Sequence, residues 1–245
     1  MTESVMSTSP RVKICGIRSE SDLRIAVASG ADAVGFISGV THRSEDALTG
    51  ERAAALVAVT PPYVSTVLVT HLEHADEIVG LADVLGVDTI QVHGLVTADT
   101  LRKVFDRSHG RRRVTRAVHV TDEESVNEAL KAVGACHAVH LDSRTADRLG
   151  GTGRTHDWSI SRKIVDALAS YSLPVILSGG LRPENVSDAV EAVHPFAVDV
   201  NSGVEDGYGN KDAWRSAKYV AEARKVNTGS ARAASGAGVG GRLRR

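Results

Sequence analysis

Aromatic residues are scarce in this chain of 245 residues: Phe, Trp and Tyr together make up 4%. Ala and Val take their place, as expected where strands are buried beneath helices. Cysteine is rarer still. There are two, Cys15 and Cys136, with no C-x-x-C pair, so neither a disulfide framework nor a thiolate zinc site is indicated. A reducing cytoplasm is the expected location. No apolar run reaches the roughly 18 residues of a membrane span. Met1 to Pro10 also lacks the basic-then-apolar order of a signal peptide. The formal net charge of −1 provides no overall cationic field to hold nucleic acid.

What the chain does have is alternation. Short runs rich in Val and Ile occur at Val12–Ile17, Ala33–Ile37, Val64–Thr70, Thr89–His93, Val114–Val120, Ala138–Asp142, Val175–Ser178 and Ala197–Asn201. Stretches of helical period lie between most of them, at Ser21–Ser29, Ala75–Leu85, Thr97–Phe105, Asp122–Ala132, Ser159–Ala169 and Pro183–Val193, with Lys211–Lys225 as a closing helix. Ser19, with Asp22 three residues on, reads as a partial capping box. Pro183 suits a first helical turn, and Gly30, Gly86 and Gly134 suit C-terminal caps. A doubly wound open sheet uses the same alternation. Eight units in a chain of this length favour closure, so the expected fold is α/β, a single (β/α)8 barrel. Residues 1–10 read as an N-terminal extension, 11–226 as the barrel, and 227–245 as a Gly/Ala/Arg tail with no acid and little to bury, expected to be disordered.

Polar residues recur at alternate positions where strands end. Lys13 and Cys15, Gln91 and His93, His140 and Asp142, and Asp199 and Asn201 are separated by apolar Ile14, Val92, Leu141 and Val200. Side chains alternate faces along a strand, so these polar residues share the lumen side at the C-terminal mouth, where barrel enzymes do chemistry. Any one of them taken alone reads equally well as a satisfied interior group. Four strands sharing the pattern point to a site. Gly179-Gly180 and Asn201-Ser202-Gly203 follow the last two strands, and Gly151-Thr152-Gly153 lies in the long loop after the sixth. Such turns let backbone N–H groups approach an anion. Gly153, Gly179, Gly180, Ser202 and Gly203 are therefore the expected phosphate subsite.

The motifs also occur in a recognisable order. Lys13-Ile14-Cys15-Gly16-Ile17, Gln91-Val92-His93-Gly94, Leu141-Asp142-Ser143, and Gly150-Gly151-Thr152-Gly153 followed by Asp157-Trp158 come first. Ile176-Leu177-Ser178-Gly179-Gly180-Leu181 with Pro183-Glu184-Asn185-Val186, then Val198-Asp199-Val200-Asn201-Ser202-Gly203-Val204-Glu205 and Lys211-Asp212, complete the series. From Arg11 to Lys225 the chain resembles the phosphoribosylanthranilate isomerases. The resemblance implies an Amadori rearrangement with no metal or organic cofactor, Cys15 as general base and Asp142 as general acid. It also implies that Lys13, Arg43, His93 and Asp199 contact the substrate. An acid with a raised pKa and a thiol with a lowered one would suit those roles. The expected partner is a small phosphorylated substrate, with no nucleic acid and no membrane. The expected assembly is a monomer or a homodimer.

The sequence departs from the family pattern at Thr41-His42-Arg43, Leu95-Val96, Leu68-Val69-Thr70-His71, His156 and Asn201. These positions cluster where the aromatic half of the substrate should lie. Two alternatives stay open: a related phosphoribosyl-amine isomerase with a different aglycone, or a non-catalytic barrel that binds a sugar phosphate.

Overall fold

A computed structural model describes residues 9–41, 44–143 and 156–225. The Val- and Ile-rich runs form eight parallel strands: β1 (Arg11–Ile14), β2 (Ala33–Ser38), β3 (Ser65–Thr70), β4 (Thr89–Val92), β5 (Arg113–Val120), β6 (Ala138–Ser143), β7 (Val175–Leu177) and β8 (Ala197–Val200). Between and after them run α1 (Glu20–Ala28), α2 (Gly50–Ala58), α3 (Ala75–Leu85), α4 (Ala98–Ser108), α5 (Glu124–Leu130), α6 (Trp158–Ala169), α7 (Val186–Val193) and α8 (Ala213–Lys225). β1 pairs in parallel with β2, Lys13 opposite Ala33, and with β8, Lys13 opposite Asp199. That second pairing closes the sheet, so the expected (β/α)8 barrel is what forms. Among the described residues no helix is long and apolar enough to cross a membrane.

Alternation along the strands sorts the side chains. Val12, Ile14, Val34, Phe36, Leu68, Ile90, Leu141 and Val198 face outward and are fully buried against helix residues such as Leu56, Ile78, Ile164 and Val190. Cys15, Val67 and Val69 face inward and form a separate small cluster in the lumen. The inward positions nearer the mouth are left to polar groups.

Several local readings hold at the level of the cap. The Ser19 hydroxyl accepts from the N–H of Asp22 at 3.1 Å, and Gly86 ends α3 in the left-handed conformation at φ 71°. Others shift. β1 ends at Ile14 because Gly16, at φ +70°, turns the chain, although the N–H of Cys15 still donates to Val200 O at 2.8 Å. Pro183 lies outside α7, which begins at Val186 after Asn185. Helix α2, an Ala-rich stretch not among the expected helices, is capped by the Thr49 hydroxyl, which accepts from Arg52 N at 3.2 Å. The second strand-to-helix loop carries a two-residue strand, Ala47–Leu48, alongside Ile37 and Ser38 of β2.

Candidate active site

A hydrogen-bonded chain crosses the floor of the mouth. Lys13 Nζ lies 2.7 Å from Asp199 Oδ2, which also takes His140 Nε2 at 2.9 Å. Gln91 Nε2 lies 3.1 Å from His93 Nδ1 and 3.4 Å from His140 Nδ1. His93 Nε2 stands 3.4 Å from Asp142 Oδ2, and the other oxygen of Asp142 accepts the N–H of Ser143 at 2.8 Å. An amide nitrogen only donates, so Gln91 makes both Nδ1 atoms acceptors. In its neutral form each ring then carries its proton on Nε2, aimed at Asp199 from His140 and at Asp142 from His93. One amide therefore sets two tautomers.

The charges follow from burial and neighbours. Burial works to lower the Lys13 pKa, but Asp199 and the Cys15 thiol beside it outweigh that and the pKa rises. Burial pushes the Cys15 thiol up, with Lys13 opposing and Asp199 reinforcing. Burial also opposes ionisation of Asp142. The hydrogen bond and charge of His93, with His140 and His119 behind it, win and hold the carboxyl below the ordinary range. Asp199 is likewise held low, against burial, by Lys13 and His140. These directions correct the expectation of a raised acid and a lowered thiol. They favour the thiol form of Cys15 and the ionised form of Asp142, because imidazoles surround the acid while the base is buried.

The glycine turns flank this floor. Gly179 and Gly180 take φ of +88° and +66°, and a Cβ on Gly179 would lie 2.5 Å from Ser143 N. A Cβ on Gly203 would lie 2.0 Å from the carbonyl oxygen of Leu181, so the turns after β7 and β8 pack backbone to backbone. Ser202 opens a short 3-10 helix, Ser202–Val204. Behind it, buried Lys211 reaches Asn201 Oδ1 at 2.6 Å and Glu205 at 2.7 Å, while Asn201 Nδ2 donates to Asp46 at 2.8 Å. Arg43 and Gly153 lie outside the described residues, as do Gly150, Gly151 and Thr152 of the same loop.

The structure brings Lys13, Cys15, His93, Asp142 and Asp199 together. Lys13 and Asp199 are committed to each other rather than open to the mouth. His119 was not picked out in the sequence, while His71 and His156 stand there as departures from the family pattern and Lys211 as part of a motif, none with a role in the site. His119 follows Thr115 and Ala117 on the inward register of β5, so the alternation that found the other strands would have found it. His156 bridges Ser143 Oγ at 2.9 Å and Ser161 Oγ at 2.5 Å, across a loop whose path the sequence does not specify.

A closed parallel barrel with titratable side chains and two glycine turns at the C-terminal ends of its strands defines a (β/α)8-barrel enzyme of the kind that handles phosphorylated small molecules. Residues 12–222 match the family described as N-(5′-phosphoribosyl)anthranilate (PRA) isomerase. The N-(5′-phosphoribosyl)anthranilate isomerase 2 of Methanosarcina mazei is 39% identical, over 87% of this chain and 94% of that protein. The crystal structure of phosphoribosyl anthranilate isomerase from Thermotoga maritima superposes with a TM-score of 0.76 at 35% identity, covering 87% of this chain and 98% of that one. A second isomerase structure, in complex with reduced 1-(o-carboxyphenylamino)-1-deoxyribulose 5-phosphate, gives a TM-score of 0.73 at 33% identity and the same coverage. The chain belongs to the phosphoribosylanthranilate isomerase family.

Proposed function

We propose that this chain converts N-(5′-phosphoribosyl)anthranilate to 1-(2-carboxyphenylamino)-1-deoxyribulose 5-phosphate, with Asp142 as general acid and Cys15 as general base. The observation that carries the reading is this buried pair at the mouth of a barrel whose family match runs nearly end to end. Protonated Asp142 gives its proton to the furanose ring oxygen as the C1–O bond breaks, leaving an iminium. The iminium acidifies the hydrogen on C2, and the Cys15 thiolate takes it. The resulting enolamine becomes the ketone when its C2 hydroxyl loses a proton and C1 gains one. Each positioned transfer is worth roughly 10²–10⁴ in rate.

The proton inventory is informative. The step ends with a neutral thiol and an ionised carboxylate, the forms that their surroundings favour. A new turnover starts from the other tautomer of the same pair, so one proton passes from Cys15 to Asp142 without a change in total charge. The phosphate is held by backbone N–H groups of Gly153, Gly179, Gly180, Ser202 and Gly203, and Arg43 contacts the substrate. Lys13, Asp199 and His93 orient the acid and base from below. Incubation with N-(5′-phosphoribosyl)anthranilate, followed by product analysis, tests the reading. Failure to form the aminoketone, with binding retained, would instead support a non-catalytic barrel.

A further inference from the structure

We propose that the ends of β4, β5 and β6 form a binding site for a borderline divalent transition ion such as Zn2+, with His93, His119 and Asp142 as ligands, and that the ion inhibits the isomerase rather than serving it. One donor atom from each of these three residues lies within 4.8 Å of the others. A tetrahedral Zn2+ with bonds of about 2.0–2.2 Å spaces its ligand atoms about 3.4 Å apart. His93 Nε2 and Asp142 Oδ2 already stand 3.4 Å apart. The His119 ring meets the His93 ring edge-on, centroids 5.3 Å apart, so its donor stands beside the other two.

The donor set selects the ion. Two imidazoles and one carboxylate suit Zn2+, Co2+ and Ni2+, whereas Ca2+ and Mg2+ demand more oxygens. Supporting contacts are in place. The N–H of Ser143 fixes one oxygen of Asp142 at 2.8 Å and leaves the other facing His93. Gln91 fixes the His93 ring from its far side at 3.1 Å. Coordination through His93 Nε2 moves the ring proton to Nδ1. A half-turn of the Gln91 amide then presents its carbonyl oxygen to that proton, so the same residue serves both forms. His71, its ring 5.0 Å from that of His93, borders the fourth position.

The inhibitory part rests on the proposed role of Asp142, because a coordinated carboxylate cannot carry the proton for ring opening. Binding itself does not depend on that role. The test titrates the full chain with Zn2+ by calorimetry and with Co2+ by visible absorption, and measures turnover with and without Zn2+ and chelator. We expect one ion per chain, a Co2+ spectrum of four- or five-coordinate form, and chelator-reversible inhibition. His119→Phe should weaken binding at least about tenfold. His119→Asn supplies the same comparison if the larger side chain disturbs folding. Absence of stoichiometric binding, or undiminished affinity in both variants, would overturn the site. Tight binding with turnover intact would overturn the inhibition and count against Asp142 as the acid.

Discussion

Lys13 Nζ and Asp199 Oδ2 are 2.7 Å apart with side chains 6% exposed, and the Cys15 thiol lies beside them over Gly35. A Cβ on Gly35 would fall 2.7 Å from the sulfur and 3.1 Å from the ammonium, so the bare glycine is what lets base and cation share that space. The ion pair thus stands behind the proposed base. Each member lowers the desolvation penalty of the other.

Lys13→Met removes the cation and strands Asp199 in the interior. We expect a loss of about 3–5 kcal/mol, read as a lower denaturation midpoint. The double variant Lys13→Met/Asp199→Leu should recover part of that loss. An unchanged midpoint in the single variant would show that the pair contributes nothing.

Cys15→Ala and Asp142→Asn should each reduce turnover at least about a hundredfold with the circular dichroism spectrum intact. Activity within a few-fold of the parent in either variant would remove that residue from its role.

The opposite shifts of Asp142 and Cys15 set the pH dependence. With Asp142 held low and Cys15 held high, the reactive tautomer, thiolate plus carboxylic acid, is a fixed fraction at every pH between the two pKa values. Below the Asp142 value both groups are protonated. Above the Cys15 value neither is. We therefore expect kcat/KM to be flat across neutrality and to fall on both sides. A limb between about pH 5 and 8, where imidazoles titrate, would move the essential proton to a histidine.

Gln91→Leu should cut kcat while leaving KM little changed, since it releases two imidazole tautomers without touching the phosphate turns. Side-chain 15N shifts give an independent reading: protonated Nε2 on His93 and His140 in the parent, mixed tautomers in the variant. Parent spectra already showing mixed tautomers would refute the amide's role.

Gly203→Ala forces a methyl into the Leu181 carbonyl, a backbone contact that cannot swing away. Displacing the turn should raise KM about tenfold or more and destabilise the fold by about 1–3 kcal/mol. Unaltered KM would argue that the phosphate sits elsewhere.

The sequence made the barrel legible because strand after strand is apolar outward, and four of them are polar inward at the mouth. Cys15, His93, Asp142 and Asp199 fall out of that rule. What it could not show was pairing. Lys13 reads as a substrate contact until Asp199 is seen opposite it, and Gln91 reads as one more polar strand end until two rings are found on its amide. The pKa directions were misjudged for the same reason. Chemistry called for a raised acid, while the imidazoles that lower it come from β4, β5 and β6, brought together by the fold.

The contact between Lys13 and Asp199 spans 186 residues of chain, and the backbone N–H of Lys211 reaches Asp22 across 189. On the ribosome, the first strand emerges long before either partner exists. Lys13 lacks Asp199 until almost the whole polypeptide has been made, and the loop this contact closes is among the longest the chain can form. During synthesis the seam between β1 and β8 can therefore close only after the last strand has emerged. A nascent barrel missing its last quarter has neither a neutralised lysine beside Cys15 nor a second glycine turn, so the reaction centre is assembled by the final strand to arrive.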